Sequence, residues 1–207
     1  VGDSVPELLE TVRFSPDGEG FLLADHLDRM SSSARAFGYA FDRDAAIRAA
    51  ADAATSIPGV SRVRLLAGRD GSVRADAAML PATASAPRIR LSDDPVDAGD
   101  VRLRHKTVDR SIYERRLVAA APCDDVILVN GEGELTESTI SNLVLVVQGV
   151  AWTPPVSAGL LPGVFRADLL RRGRIRERTL RPPDLIAAGA IYLINSVRLW
   201  RRALLLR

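Results

Sequence analysis

Leu8 to Phe14 reads as a half-buried strand, and Pro16-Asp17-Gly18 follows as a turn into a short apolar strand at Phe21 to Leu23. Asp25 then predicts a helix cap. Leu27, Met30, Ala34 and Phe37 recur at helical spacing behind it, and Gly38 closes the helix. Asp42 opens a second helix through an Ala-rich stretch to about Thr55. Val60 to Leu66, Ser72 to Ala77 and Arg88 to Leu91 alternate with the two-residue rhythm of strands, the first pair joined across Gly68-Arg69-Asp70-Gly71.

Asp93-Asp94-Pro95 through Gly99-Asp100 combines like charges, a proline and a glycine between two strand patterns, and predicts a linker. The expected division is a small α+β domain over 1–94, a linker over 95–101 and a β-rich domain over 102–207. In the second half the pattern predicts strands at Val101 to Arg104, Val126 to Val129, Asn142 to Val147 and Ala151 to Thr153. Three further strands are expected at Ile175 to Leu180, Ile191 to Ile194 and Ala203 to Leu206. Helices are expected over Arg110 to Ala120 and Gly163 to Arg172. The fold class is α+β, with no internal repeat.

Composition narrows the function. At 207 residues and 47% hydrophobic the chain can bury a substantial core. Its 28 basic and 26 acidic side chains nearly cancel, and with 5% aromatics and no basic run this argues against nucleic-acid binding. The single cysteine, Cys123, has no companions at metal-ligand spacing and points to a reducing, cytoplasmic setting. The longest apolar run, Leu143 to Val147, is too short for a bilayer, so no membrane partner is expected. The numbering begins at Val1, which leaves open a preceding strand or domain.

All but one of the basic side chains are arginine, and the exception is Lys106. A guanidinium stays protonated at working pH, whereas a desolvated ammonium can deprotonate and form a Schiff base with a carbonyl. Base composition alone could leave one lysine over, but its neighbours favour chemistry. His105-Lys106-Thr107 is expected at a strand end. Glu137 stands in Leu135-Thr136-Glu137-Ser138-Thr139-Ile140-Ser141-Asn142, hydroxylated and otherwise readable as a solvated strand edge. Gly159 to Arg166 enters a helix through glycine and proline, where backbone N–H groups could hold an anion. A lysine, a carboxylate facing a pyridine nitrogen and an anion nest are what a pyridoxal phosphate site requires.

These segments, with Leu9-Glu10-Thr11-Val12-Arg13, His26-Leu27-Asp28-Arg29-Met30 and Asn195-Ser196-Val197-Arg198, resemble in order the branched-chain aminotransferase and aminodeoxychorismate lyase family, the fold-type IV pyridoxal phosphate enzymes. The resemblance is to the lyase branch and runs along almost the whole chain. It implies a D-amino acid aminotransferase-like fold, a homodimer, and a cofactor held between the two domains of each subunit. By position it assigns Lys106 to the Schiff base and proton shuttle, Glu137 to the pyridine nitrogen and Arg29 to the phosphate. Thr139, Ile140, Val164, Phe165, Ser196 and Val197 would surround that phosphate. Thr11 would sit beside the reacting carbon, and Arg13 and Arg198 are candidates for substrate carboxylates. The bland alternative for Arg29 is a surface ion pair with Asp25 or Asp28.

Two positions depart from the family pattern. Phe165 stands where many relatives carry threonine, and Leu199 where close lyase relatives often show glycine. The resemblance implies conversion of 4-amino-4-deoxychorismate to 4-aminobenzoate and pyruvate, a folate precursor step. A class IV aminotransferase of branched-chain or D-amino acids is the first alternative, and a non-catalytic relative that binds an anion or a partner is the second.

Overall fold

The computed structural model describes residues 6–81 and 86–206. The chain divides into two units, Val1–Ala82 with His105–Asp109, and Thr83–Arg104 with Arg110–Arg207. The expected linker at 95–101 therefore lies inside the second unit, and the segment bearing Lys106 belongs to the first. Hydrogen bonds across the sequence explain both differences. Val96 is 2% exposed and its N–H donates to Val129 O at 2.8 Å, which pins the Pro- and Gly-containing stretch to a strand. Leu9 N donates to Lys106 O at 2.9 Å, Val108 N donates to Glu7 O at 3.0 Å, and Leu8 bridges Thr107.

In the first unit, β1 (Leu8–Phe14), β2 (Ser61–Ala67) and β3 (Val73–Met79) form an antiparallel sheet in sequence order. Helices α1 (Leu23–Phe37) and α2 (Arg43–Thr55) connect β1 to β2. Strand alternation sends Leu8, Val12, Phe14, Val63 and Leu65 into one core with Leu27, Met30 and Ala34 of α1, while Ala46, Ala50 and Ala54 bring α2 against the same core. Asp42 caps α2 by accepting from Ala45 N at 2.9 Å, and Gly38, at φ 68, ends α1 in the left-handed conformation that lacks a Cβ penalty. The strand expected at Phe21 to Leu23 is instead the entry to α1. Only Phe14 and Gly20 bridge before the helix begins at Leu23, so Asp25 lies within the first turn rather than at the cap.

The second unit contains β4 (Arg88–Leu91), α3 (Ser111–Ala119), β5 (Asp125–Val129), β6 (Leu135–Ser138), β7 (Asn142–Val147) and β8 (Val150–Thr153). It continues with α4 (Val164–Arg171), β9 (Arg176–Glu177), α5 (Pro182–Ala187), β10 (Ala190–Asn195) and β11 (Leu199–Leu205). The strand order is β10-β11-β4-β5-β6-β7-β8-β9, and an added β7–β10 pairing closes six of these strands into a barrel. Ile89, Ile127, Leu135, Leu143, Leu145, Leu193 and Ala203 fill one of its cores.

Two local readings are corrected here. Val101–Leu103 is a 3-10 turn, because Asp100 Oδ1 accepts from Arg102 N at 2.9 Å and this side-chain bond displaces strand pairing. Of Ile175 to Leu180, only Arg176–Glu177 pairs, parallel to β8. Pro182 and Pro183, which punctuate the sequence, open α5, where the first helical turn needs no proline N–H. Among the described residues no helix is long and apolar enough to cross a membrane.

Candidate active site

Lys106 is half-buried on a segment pinned on both sides. His105 Nδ1 lies 2.9 Å from Ser33 Oγ and its ring meets Phe37 edge-on, with centroids 4.8 Å apart, while Thr107 is buried against β1. The lysine thus follows a turn and its carbonyl accepts from β1, with the bridge at Thr107, rather than ending a strand.

On β1, Glu10 shares the helix-facing side with Val12 and Phe14, whereas Thr11 and Arg13 occupy the opposite side. In the sheet register Thr11 stands across from Arg64 and Arg13 across from Arg62. Two guanidinium-bearing positions thus stand across from each other on the face turned away from Val12 and Phe14. Arg62 and Arg64 escaped the sequence reading, although their alternation with Val63 and Leu65 marks the face.

Arg29 pairs with a buried carboxylate that the sequence reading did not consider for it. Its Nε donates to Glu10 Oε1 at 2.7 Å and its Nη2 to Glu10 Oε2 at 2.8 Å. His26 Nδ1 lies 2.7 Å from Glu10 Oε2. Burial alone would raise the Glu10 carboxyl, but the charges of Arg29 and His26 and their hydrogen bonds reverse this and hold it far below the usual carboxylate range. The signal for this cluster was present: an acid on the apolar face of a strand needs a partner, and His26 and Arg29 lie three apart on one helix face.

In the second unit Glu137 is buried, not on a solvated edge. It accepts from Tyr113 Oη at 2.9 Å, Leu161 N at 3.0 Å and Asn142 Nδ2 at 3.2 Å. Burial first, and then the adjacent Glu137 charge, raise the Tyr113 hydroxyl above its usual range, so it stays a donor. Asn142 also donates to Leu161 O at 2.9 Å, and its Oδ1 occupies the place a Cβ on Gly163 would take, so only glycine fits at the start of α4. Tyr113 carried no mark in the sequence beyond its position in a helix, and Asn142 none beyond its place at the end of the hydroxylated segment.

The segments expected around a phosphate differ among themselves. Thr139 commits its N–H and hydroxyl to Asp125 Oδ1, at 3.0 and 2.7 Å, and its carbonyl accepts from Arg110 Nη2 at 2.6 Å. Ile140 is exposed, and its carbonyl accepts from Asn195 Nδ2 at 3.2 Å. Val164 and Phe165 are buried at the start of α4. Ser196, Val197 and Arg198 form the loop of the β10–β11 hairpin, where Asn195 Oδ1 accepts from Val197 N at 3.0 Å and Arg198 N at 2.7 Å. Phe165 and Trp200 meet edge-on with centroids 6.4 Å apart, which brings the start of α4 beside this hairpin. Leu199 has φ 58, so the position where lyase relatives often carry glycine is in the left-handed region.

In sequence and in fold the chain is similar to known proteins. A profile of the family described as amino-transferase class IV matches residues 7–205. A Schizosaccharomyces pombe protein named "putative aminodeoxychorismate lyase" is 30% identical over 200 residues, covering 92% of this chain and 86% of its own length. The crystal structure of a "putative amino-acid aminotransferase" from Mesorhizobium loti is 34% identical with a TM-score of 0.91, covering 97% of this chain and 99% of that one. A Mycobacterium tuberculosis protein titled a "hypothetical aminotransferase", in its PLP-bound form, is 25% identical with a TM-score of 0.81, covering 97% of this chain and 81% of that one.

Proposed function

The chain belongs to the class IV aminotransferase family of pyridoxal phosphate enzymes, and from that premise we propose that it converts 4-amino-4-deoxychorismate to 4-aminobenzoate and pyruvate. The observation that carries the lyase reading is the 30% identity to the Schizosaccharomyces pombe protein across nearly the whole chain. The donor set fits the cofactor: one primary amine, one buried and oriented carboxylate, an arginine and a hydroxyl in a tight hairpin. When bound, pyridoxal phosphate supplies an electron sink at the carbon bearing the substrate nitrogen.

In this reading Lys106 Nζ would hold the cofactor through its aldehyde and, once released, would serve as the base for the proton on that carbon. Glu137, fixed by Tyr113, Asn142 and Leu161, keeps the pyridine nitrogen protonated. Arg29 and Ser196 take the phosphate with the start of α4 at Val164 and Phe165. Thr139 and Ile140 act as wall, since Thr139 is already committed to Asp125. Thr11 or Lys106 protonates the departing enolpyruvyl fragment as its bond to the ring breaks. Arg13 and Arg198, joined by Arg64 across from Thr11, receive the two carboxylates. Aromatisation of the ring supplies much of the driving force, leaving orientation and proton transfer to the protein.

A borohydride-quenched absorption spectrum followed by peptide mapping tests the lysine. The expected label is on Lys106, and a label elsewhere overturns the assignment. Pyruvate release from 4-amino-4-deoxychorismate without a keto acid acceptor tests the reaction. The Mesorhizobium loti match favours a second reading, an aminotransferase using the same residues. Turnover that requires 2-oxoglutarate would establish it. A homodimer in the cytoplasm completes the proposal, and sedimentation tests the dimer.

A further inference from the structure

His26 is 1% exposed, and its Nε2 has no hydrogen-bond partner among the described residues. A buried nitrogen without a partner costs stability, a loss that leucine or methionine would avoid at a buried position of the helix that also buries Leu27 and Met30. What the imidazole does that those side chains cannot is donate from Nδ1 to Glu10 Oε2, at 2.7 Å. The geometry requires a hydrogen on Nδ1, since a bare nitrogen there would place its lone pair against the carboxylate.

Glu10 in turn grips one edge of the Arg29 guanidinium through both Nε and Nη2. A forked pair of this kind fixes the plane of the group as well as its place, and directs its remaining N–H bonds away from Glu10. Arg29 is still 13% exposed at its side chain while Glu10 and His26 are sealed. The chain of contacts therefore runs from a buried ring, through a buried carboxylate, to a guanidinium near the surface of its unit.

We propose that His26 is a positioning residue: by holding Glu10 it sets the guanidinium of Arg29 for the cofactor phosphate. The inference rests on the assignment of Arg29 to that phosphate. It concerns orientation and not charge, so it is tested with variants that leave Glu10 and Arg29 in place. His26→Leu removes the donor. His26→Asn returns an N–H donor near the Nδ1 position in a smaller side chain.

The measurement is affinity for pyridoxal phosphate and for pyridoxal, which lacks the phosphate, by absorbance titration of each apo variant. Arg29→Lys serves as the reference. His26→Leu is expected to weaken pyridoxal phosphate binding about tenfold, the scale of one misdirected charge-assisted hydrogen bond, with pyridoxal binding unchanged. His26→Asn is expected to restore most of the difference. If His26→Leu binds both ligands as the parent does, or weakens both equally, His26 is only packing and the inference falls. If both His26 variants weaken pyridoxal phosphate binding alike, donation from Nδ1 is not what matters, and the inference falls again. If Arg29→Lys leaves the ratio of the two affinities unchanged, the phosphate assignment itself is wrong, a result separate from the others.

Discussion

Replacing Leu199 with glycine and with alanine isolates the backbone energy stored in the β10–β11 hairpin. Both variants lose the same half-buried side chain beyond Cβ, so that loss cancels between them. An L-residue in the left-handed region costs about 1–2 kcal/mol, a penalty alanine keeps and glycine escapes. Glycine gives back about 0.5–1 kcal/mol through its extra unfolded-state freedom. With Leu199 at φ 58, Leu199→Gly is therefore expected to be more stable than Leu199→Ala by about 0.5–1 kcal/mol, the reverse of the order at an ordinary strand position. For a chain of this size that is a difference of about 1–4 °C in melting temperature. Trp200 adjoins the loop and meets Tyr192 edge-on at 5.3 Å, so tryptophan fluorescence in urea follows this region directly. Alanine equal to or better than glycine would refute the strain argument. The aromatic contacts of Trp200 with Tyr192 and Phe165 offset a penalty of this order, each being worth about 0.5–1.5 kcal/mol.

Two further outcomes follow from buried polar groups. The Glu10 carboxyl is held below its unfolded value of about 4.3, so its ionised form contributes stability that is complete above that pH and lost as pH falls toward the folded value. Glu10→Gln should accordingly be less stable near neutrality, yet lose stability less steeply below about pH 4, as read from melting temperatures over acid pH; an unchanged slope would show that Glu10 is not the group titrating. Gly163→Ala forces Asn142 to swing away and give up its bonds to Glu137 and Leu161, at a cost of about 2–4 kcal/mol in urea unfolding. A loss under 1 kcal/mol there would mean that Asn142 relaxes without leaving Glu137.

Much of the local structure and the identity of the chemical groups could be read from the chain itself. The alternation in β2, the apolar run in β7, the caps at Asp42 and Gly38, and the start of α4 at Gly163 are set by residues a few positions apart. Lys106 stood out because no other residue here can do its chemistry, and the ordered segments around it pointed to the family. Where a local signal competed with a distant partner, the reading failed. Asp93 to Asp100 looks like a linker until Val96 meets Val129, and His105 to Thr107 look like part of the second half until they hydrogen-bond to β1.

Tertiary structure alone decided which polar groups were already spoken for. Asp125 takes the donors of Thr139, Asn195 takes the N–H groups of the hairpin loop, and Glu10 takes one edge of Arg29. It also decided that β7 and β10 pair, which turns a run of strands into a closed barrel. The physical reason is common to all of these. Burial removes water as a partner, so each hidden donor and acceptor must find another within hydrogen-bond reach, and the chain can supply it from any distance along its length. Spacing along a sequence records which residues share a face; it does not record what that face will meet.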